Sequence, residues 1–394
     1  MKRKNLTLVF NHFEQEHLGK DVFLVPFYLG KQLDYDVTIV YRATETNKQF
    51  PKEINGVKLV PLKIIEDRNL PFYKQNINNL KYIAKCAKSI DLLMCFHHDR
   101  LTELRVCLYK LFNPQGIAYV KLDLGELVSR KESTYKMENL CLSINKLKKC
   151  CWDKLERTFL NKVDFLSCET TSIFNQLRES CLSHYKYNDK LILMPNGFDE
   201  ELLKSFSLEE KEFKNKENIF ITVGRLGTPQ KNTEMILEAL NKVKMKDWKF
   251  YLIGPIEEPQ KKNIDEFYRL NPEKRESVRF LGPIYNKKAL WEYYNKSKVF
   301  VLTSRWEGSP IVFPEAKRFK NYILSTKVNA SEDITEGGKY GSVIEQEHSE
   351  SLAMMLQNIV NGQLNVDVYN DFDSSSITWE HQVQKISARI KYFL

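Results

Sequence analysis

The sequence predicts an α/β protein made of two Rossmann-like domains that face each other across a cleft. Three observations carry this expectation. The chain has 394 residues, room for about two domains. Short apolar runs of strand length alternate with amphipathic helical stretches along its whole length. That rhythm restarts after Pro195-Asn196-Gly197, a turn-forming cluster suited to a hinge.

In the first half, residues 6–10, 37–41, 92–96, 118–122 and 164–167 are short runs that read as buried strands. Such runs fit strands buried on both faces. Helical patterns cover 21–33, 78–89 and 103–112, and 125–162 is a long excursion. Within it Leu140, Ile144, Leu147, Cys151, Leu155 and Phe159 form an apolar helical stripe. Lys146, Lys148, Lys149, Lys154, Arg157 and Lys162 crowd the remainder. A short strand, 191–194, leads to the hinge, and the charged stretch 200–218 reads as a solvated connector. The second half places strands at 219–223, 249–253, 278–281 and 299–303. Its helices fall at 233–243, 261–268, 289–294 and 311–320, and a last helix covers 377–394. The expected domains are 1–196 and 197–376, followed by that helix. Sheets of this kind bind ligands at the carboxyl ends of their strands.

Composition narrows the class. The chain is 42% hydrophobic and 12% aromatic, with 15 Gly and 13 Pro, which excludes collagen-like, low-complexity and wholly disordered chains. Net charge is +9, and residues 1–197 hold 31 basic against 22 acidic side chains. The second half balances at 29 and 29. A basic first half suits an anionic membrane surface or lipid-diphosphate acceptor, or simply a solvated face. No basic groove with interleaved aromatics points to nucleic acid. No apolar run approaches the roughly 20 residues of a membrane span. Met1-Lys-Arg-Lys resembles a signal n-region, but the apolar run after it is too short for an h-region. The eight Cys show no C-x-x-C spacing, so a reducing cytoplasm is expected. Walker A and complete G-x-G-x-x-G loops are absent from the sequence. Asp34-Tyr-Asp36 fits a metal-binding D-x-D, but it precedes a strand and so lies at the amino end of the sheet. No metal and no cofactor are expected.

Two segments could carry chemistry. Thr303-Ser-Arg-Trp-Glu307-Gly-Ser309-Pro-Ile311-Val-Phe-Pro-Glu315 leaves a strand and opens a helix. Ser309 suits an N-cap and Pro310 a first helical position. Such a helix start would offer free N–H groups to a phosphate. Glu307 and Glu315 would there face hydroxyls. Val223-Gly-Arg225-Leu-Gly-Thr-Pro-Gln-Lys231 likewise ends a strand, and its two cations could neutralise a diphosphate. Taken singly, each is also compatible with an ordinary strand, turn and helix carrying solvated charges.

Together they resemble the donor-binding half of retaining GT-B glycosyltransferases of the "group 1" family, family 4. Glu307 and Glu315 match the family's E-x7-E element, and Gly224, Arg225 and Lys231 match its G-R-(x5)-K element. Met194-Pro-Asn-Gly-Phe-Asp199 looks like the domain-linking segment. Phe280-Leu-Gly-Pro-Ile284 looks like the strand whose backbone meets the nucleotide base. Thr378-Trp-Glu380 looks like the start of the terminal helix that crosses back to the N-terminal domain. The likeness covers residues 190–394. It implies that Arg225 and Lys231 grip the diphosphate, Glu315 the ribose hydroxyls and Glu307 the donor sugar. Backbone around Ser309, Ile311 and Ile284 would meet sugar, phosphate and base. Ser309 stands where the family often has an aromatic residue. In the first half, Gly19 occupies the place of a glycine-rich loop that here holds one Gly, and doubles as a plain turn residue. The segment 119–126 has no His where the family often has one. Asp123 is the candidate there for contact with the transferring sugar, or a strand-ending turn residue. His97 and His98 line the acceptor side or serve structure.

The expected function is transfer of a hexose from a nucleotide-diphosphate sugar, UDP favoured, to a hydroxyl of a glycan or lipid-linked acceptor. The resemblance implies retention of configuration and no metal. The setting is bacterial surface polysaccharide synthesis in the cytoplasm, at the inner face of the membrane. An epimerase of the same fold, or a non-catalytic partner subunit, are the rival expectations.

Overall fold

The computed structural model describes residues 3–63, 76–124, 142–179 and 188–393, with backbone alone for 142–149. The chain forms two compact units. One comprises Met1–Pro195 with Trp379–Leu394, the other Asn196–Thr378.

The first unit holds β1 (Lys4–Val9), β2 (Tyr35–Arg42), β3 (Glu53–Ile54), β4 (Val57–Leu62), β5 (Leu92–Phe96), β6 (Ile117–Lys121), β7 (Phe165–Cys168) and β8 (Leu191–Leu193). Their order is β3-β4-β2-β1-β5-β6-β7-β8. Every pairing is parallel except β3 with β4. The central strands β5 and β6 are buried along their whole length, as strands sandwiched between helical layers must be. Helix Trp379–Tyr392 packs on helix Asp21–Leu33, burying Trp379, Val383, Ile386 and Ile390 at spacings of four, three and four.

The second unit holds β9 (Glu217–Val223), β10 (Lys249–Ile253), β11 (Val278–Gly282), β12 (Ser297–Leu302), β13 (Tyr322–Thr326) and β14 (Gly341–Ile344). The sheet is all parallel in the order β11-β10-β9-β12-β13-β14. β9 and β12 lie at its centre.

Several sequence expectations need correction. Strands β4, β13 and β14 were not anticipated. Pro61 argues against a strand, but β3 pairs only with Val57 and Lys58, so β4 is an edge where Pro61 lies. The 200–218 stretch is not a solvated connector. It contains helix Glu200–Ser205 with Leu203 buried. Phe206 meets the ring of Trp291, and Arg318 pairs with both Glu200 and Glu210. The stripe on helix Leu142–Lys162 buries Phe159, but Cys151 is exposed. The side chains of Leu140, Ile144, Leu147, Lys146, Lys148 and Lys149 lie outside the described residues.

Lys216 is almost wholly buried at the amino end of β9 and donates to the Ser297 carbonyl at 2.9 Å. Burial, reinforced by Lys320, pushes its pKa down to about 7. Between there and the ordinary lysine value, the unfolded chain holds a proton that the folded chain lacks. This group therefore makes stability rise with pH across that window. Lys216→Met should flatten the rise, by at most about 1.4 kcal/mol per pH unit, in urea titrations compared between pH 7 and 9.5.

Candidate functional site

At the carboxyl end of the second sheet, the loops after β9 and β12 are fastened together. The Thr303 hydroxyl contacts the carbonyls of Lys231 and Asn232 at 2.9 and 3.0 Å. Arg305 donates its backbone N–H to Gln230 (2.8 Å) and Nη1 to the Pro229 carbonyl (2.6 Å). Gln230 returns a bond to the Trp306 carbonyl at 3.0 Å, and Glu347 pairs with Arg305 from outside. The two sequence motifs thus share one platform. Its geometry is held by backbone carbonyls, so it exists before any ligand arrives.

Glu307 stands on this platform, 8% exposed. Its carboxylate pairs with Lys231 and accepts from Ser304 at 2.7 Å and Gln230 at 3.3 Å. Glu315, 2% exposed, lies on helix Val312–Arg318. It accepts from Trp291 Nε1 at 3.1 Å and pairs with Lys287. Arg225 is exposed and pairs with Glu257 at 2.9 Å. All four motif charges, Arg225, Lys231, Glu307 and Glu315, are therefore neutralised locally.

Ser309 is not an N-cap. Helix Val312–Arg318 starts at Val312, with Ile311 in the cap position and no side-chain cap. The Pro310 carbonyl accepts Phe313 N–H in a single turn, and Asn196 Nδ2 holds the Ser309 carbonyl at 2.7 Å. The helix is only seven residues long.

Beside the platform lies a depression of about 210 Å³, lined by Gly224, Arg225, Gly254, Pro283, Ile284 and Tyr285 among others. Two backbone turns knit its floor: Gly224 N–H reaches Ile253 at 3.0 Å and Gly254 N–H reaches Gly282 at 2.9 Å. Gly254 has φ +144, and a Cβ there would sit 1.8 Å from the Gly224 carbonyl oxygen. Only glycine fits. The slot suits a planar ring with backbone groups at its edge.

In the first unit, Gly19 ends a turn before helix Asp21–Leu33 and faces open space. Asp123 is exposed two residues beyond β6. A buried network draws these segments together. Lys121 is fully buried, bonds Asp21 at 2.6 Å and pairs with Glu169. Burial disfavours its ammonium, but Asp21 and Glu169 outweigh that and raise its pKa. Burial likewise pushes the Glu169 carboxyl up, beyond what Lys121 pulls down. Sequence reasoning missed Lys121 and Glu169; the available signal was a lysine inside an otherwise apolar strand. Lys287 and Trp291 were also missed, although they are spaced for one helix face.

His98 is structural. Its ring stacks on Phe159 at 4.8 Å, and Nε2 lies 3.2 Å from Glu103. His98, Glu103 and Glu156 bring ligand atoms within 4.8 Å of one another. Arg100 already pairs with both glutamates, so a guanidinium supplies the positive charge that a metal would bring. His97 has φ +60 and packs near Phe10 and Phe96. Asp34 and Asp36 pair with Arg3 at the amino end of the first sheet.

Residues 204–377 match the family model described as glycosyl transferases group 1. The chain is 27% identical over 311 residues to the amylovoran biosynthesis glycosyltransferase AmsD of Erwinia amylovora, covering 74% of this chain and 78% of that one. It is also 27% identical over 180 residues to a probable sucrose-phosphate synthase of Thermosipho melanesiensis, covering 43% of this chain and 41% of that protein. Among solved structures, a Rickettsia africae glycosyltransferase aligns with TM-score 0.70 and 14% identity over 100% of this chain and 99% of that one. Anabaena HepE in complex with UDP aligns with TM-score 0.61 and 14% identity over 99% and 97%.

Gly254→Ala should disrupt the slot, because a Cβ there would sit 1.8 Å from a backbone oxygen that is fixed at the end of the sheet. We expect a stability loss of roughly 2 kcal/mol or more by chemical denaturation. An unchanged midpoint would show that the two turns separate freely.

Proposed function

We propose that this chain, which has the GT-B fold and matches the group 1 glycosyl transferase model over residues 204–377, is a glycosyltransferase that transfers a hexose from UDP-sugar to a glycan or lipid-linked hydroxyl, with retention. One observation carries this reading. Two almost buried carboxylates, Glu307 on a platform of fixed loops and Glu315 on the helix that follows, are each bonded to an ammonium beside a slot of about 210 Å³. Carboxylates accept from hydroxyls; ammoniums donate to phosphates. A nucleotide-diphosphate sugar presents both, with a planar base for the slot.

In this reading Glu307 takes hydroxyls of the donor sugar and Glu315 those of the ribose. Sugar hydroxyls displace Lys231 from Glu307. The freed ammonium turns with Arg225 to the diphosphate, whose charge grows as the bond to the sugar breaks. These cations do the work that a metal does elsewhere, and no cofactor takes part. The backbone at Ile284 meets the base, and that at Ser309 and Ile311 meets sugar or phosphate. Glu307 positions the sugar. Gly19 and Asp123 are the first unit's candidates for phosphate and sugar contact. UDP is favoured because HepE was solved with it. A glycan acceptor is favoured over a soluble sugar phosphate because the likeness to AmsD spans 311 residues and that to the synthase 180.

We place the protein in the cytoplasm at an anionic membrane face, on the strength of the basic first half and exposed Lys154, Arg157 and Lys162. Changing those three to Glu should weaken sedimentation with anionic vesicles; equal binding removes the membrane from the proposal.

A thermal-shift series of nucleotide sugars tests the donor, since a ligand of the folded state raises Tm. Lys231→Ala should lower turnover by roughly 10²–10³, by analogy with losing one preorganised charge-stabilising donor. Activity at the wild-type level would remove Lys231 from the diphosphate.

A further inference from the structure

Lys287 has no role in the reading above, yet it covers the ribose-binding carboxylate. Glu315 is 2% exposed. Of its two donors, Trp291 is 1% exposed and packs against Phe198 at a centroid distance of 4.7 Å, so it is fixed. The Lys287 side chain is 30% exposed and is the donor of the two that can leave. Both donors bond Oε1, and a ribose hydroxyl that takes that oxygen takes it from the ammonium.

The position of Lys287 adds a second observation. It opens helix Lys287–Lys296, whose first turn holds no acidic residue. The positive end of a helix opposes a cation there, so helix stability does not account for it. At rest it is held by Glu315 and by the ring of Trp291, 5.5 Å away. Lys287 also follows Tyr285 by two residues, and Tyr285 and Arg225 line the same slot.

A charge count says where the ammonium goes. Arg225, Lys231 and Lys287 are each matched by one carboxylate: Glu257, Glu307 and Glu315. A diphosphate brings further negative charge to a site with no net surplus of positive charge. Hydroxyls are neutral, so each one that takes an ammonium's place on a carboxylate frees a positive charge. We propose that Lys287 is a third donor-phosphate ligand, held in reserve on Glu315 and released to the diphosphate when the ribose hydroxyls replace it. This rests on the donor reading above and extends it to a residue outside both motifs.

The test compares UDP with uridine, which share base and ribose and differ in phosphate. Binding to the full chain is measured by calorimetry and ligand-observed NMR for wild type, Lys287→Met, Lys287→Arg and the neighbouring control Lys288→Met. Lys287→Met should weaken UDP about tenfold and uridine less than about twofold, as fits loss of one charge-assisted bond. It should also reduce the salt dependence of UDP affinity. Lys287→Arg should restore UDP to within about threefold, and Lys288→Met should change neither ligand beyond about twofold. Equal losses for UDP and uridine would make Lys287 a mere support for Glu315 and overturn the proposal, as would unchanged UDP affinity in Lys287→Met. A wild-type chain that binds neither ligand fails the donor reading itself, and Lys287 falls with it.

Discussion

Two carboxylates stand almost out of water at the carboxyl end of the second sheet, and neither can remain there without a positive partner. That constraint organises the unit. Glu307 lies at the tip of a loop, so the loop after β9 must deliver Lys231 to it. Thr303 and Arg305 hold the two loops in register through backbone carbonyls, which do not depend on ligand. Glu315 lies on a short helix, so the helix Lys287–Lys296 must bring Lys287 and Trp291 to it from one face. Residues that neutralise the site at rest are those that could receive a charged ligand later.

The first unit meets the same problem differently. Lys121 sits between Asp21 and Glu169, with no exposed surface of its own. Two carboxylates share one ammonium, and burial, with Asp123 and Asp21 adding to it, raises the pKa of Glu169 despite Lys121. Here the charges fasten strand ends to the start of a helix. In the second unit each pair keeps a path to solvent through its lysine, whose side chain is 20% exposed for Lys231 and 30% for Lys287. Exposure of the cation separates a pair that can open from one that cannot.

The sequence made most of the fold legible for a simple reason. Strands buried on both faces are rich in apolar residues, and β1, β2, β5, β6, β9, β10 and β12 each hold such a stretch. Where burial did not require that pattern, the signal failed. β4 carries Pro61 at an edge, β13 ends in Ser325 and Thr326, and β14 opens with Gly341 and Ser342. Their membership depends on neighbours, through ladder bonds that a local window does not contain. The 200–218 stretch looked solvated because its acids were counted without Arg318, more than 100 residues away.

By itself the sequence determined the alternation of strand and helix, the family likeness, and the spacing of Glu307, Glu315, Arg225 and Lys231. These are local patterns set by backbone period and by loop length. Only the tertiary structure decided which lysine neutralises which carboxylate, where the helix after Ser309 begins, and that Gly254 must be glycine. Each of these depends on groups from separate strands meeting at one sheet edge. Charge pairing and close backbone approach follow distances in space, which separation along the chain does not encode.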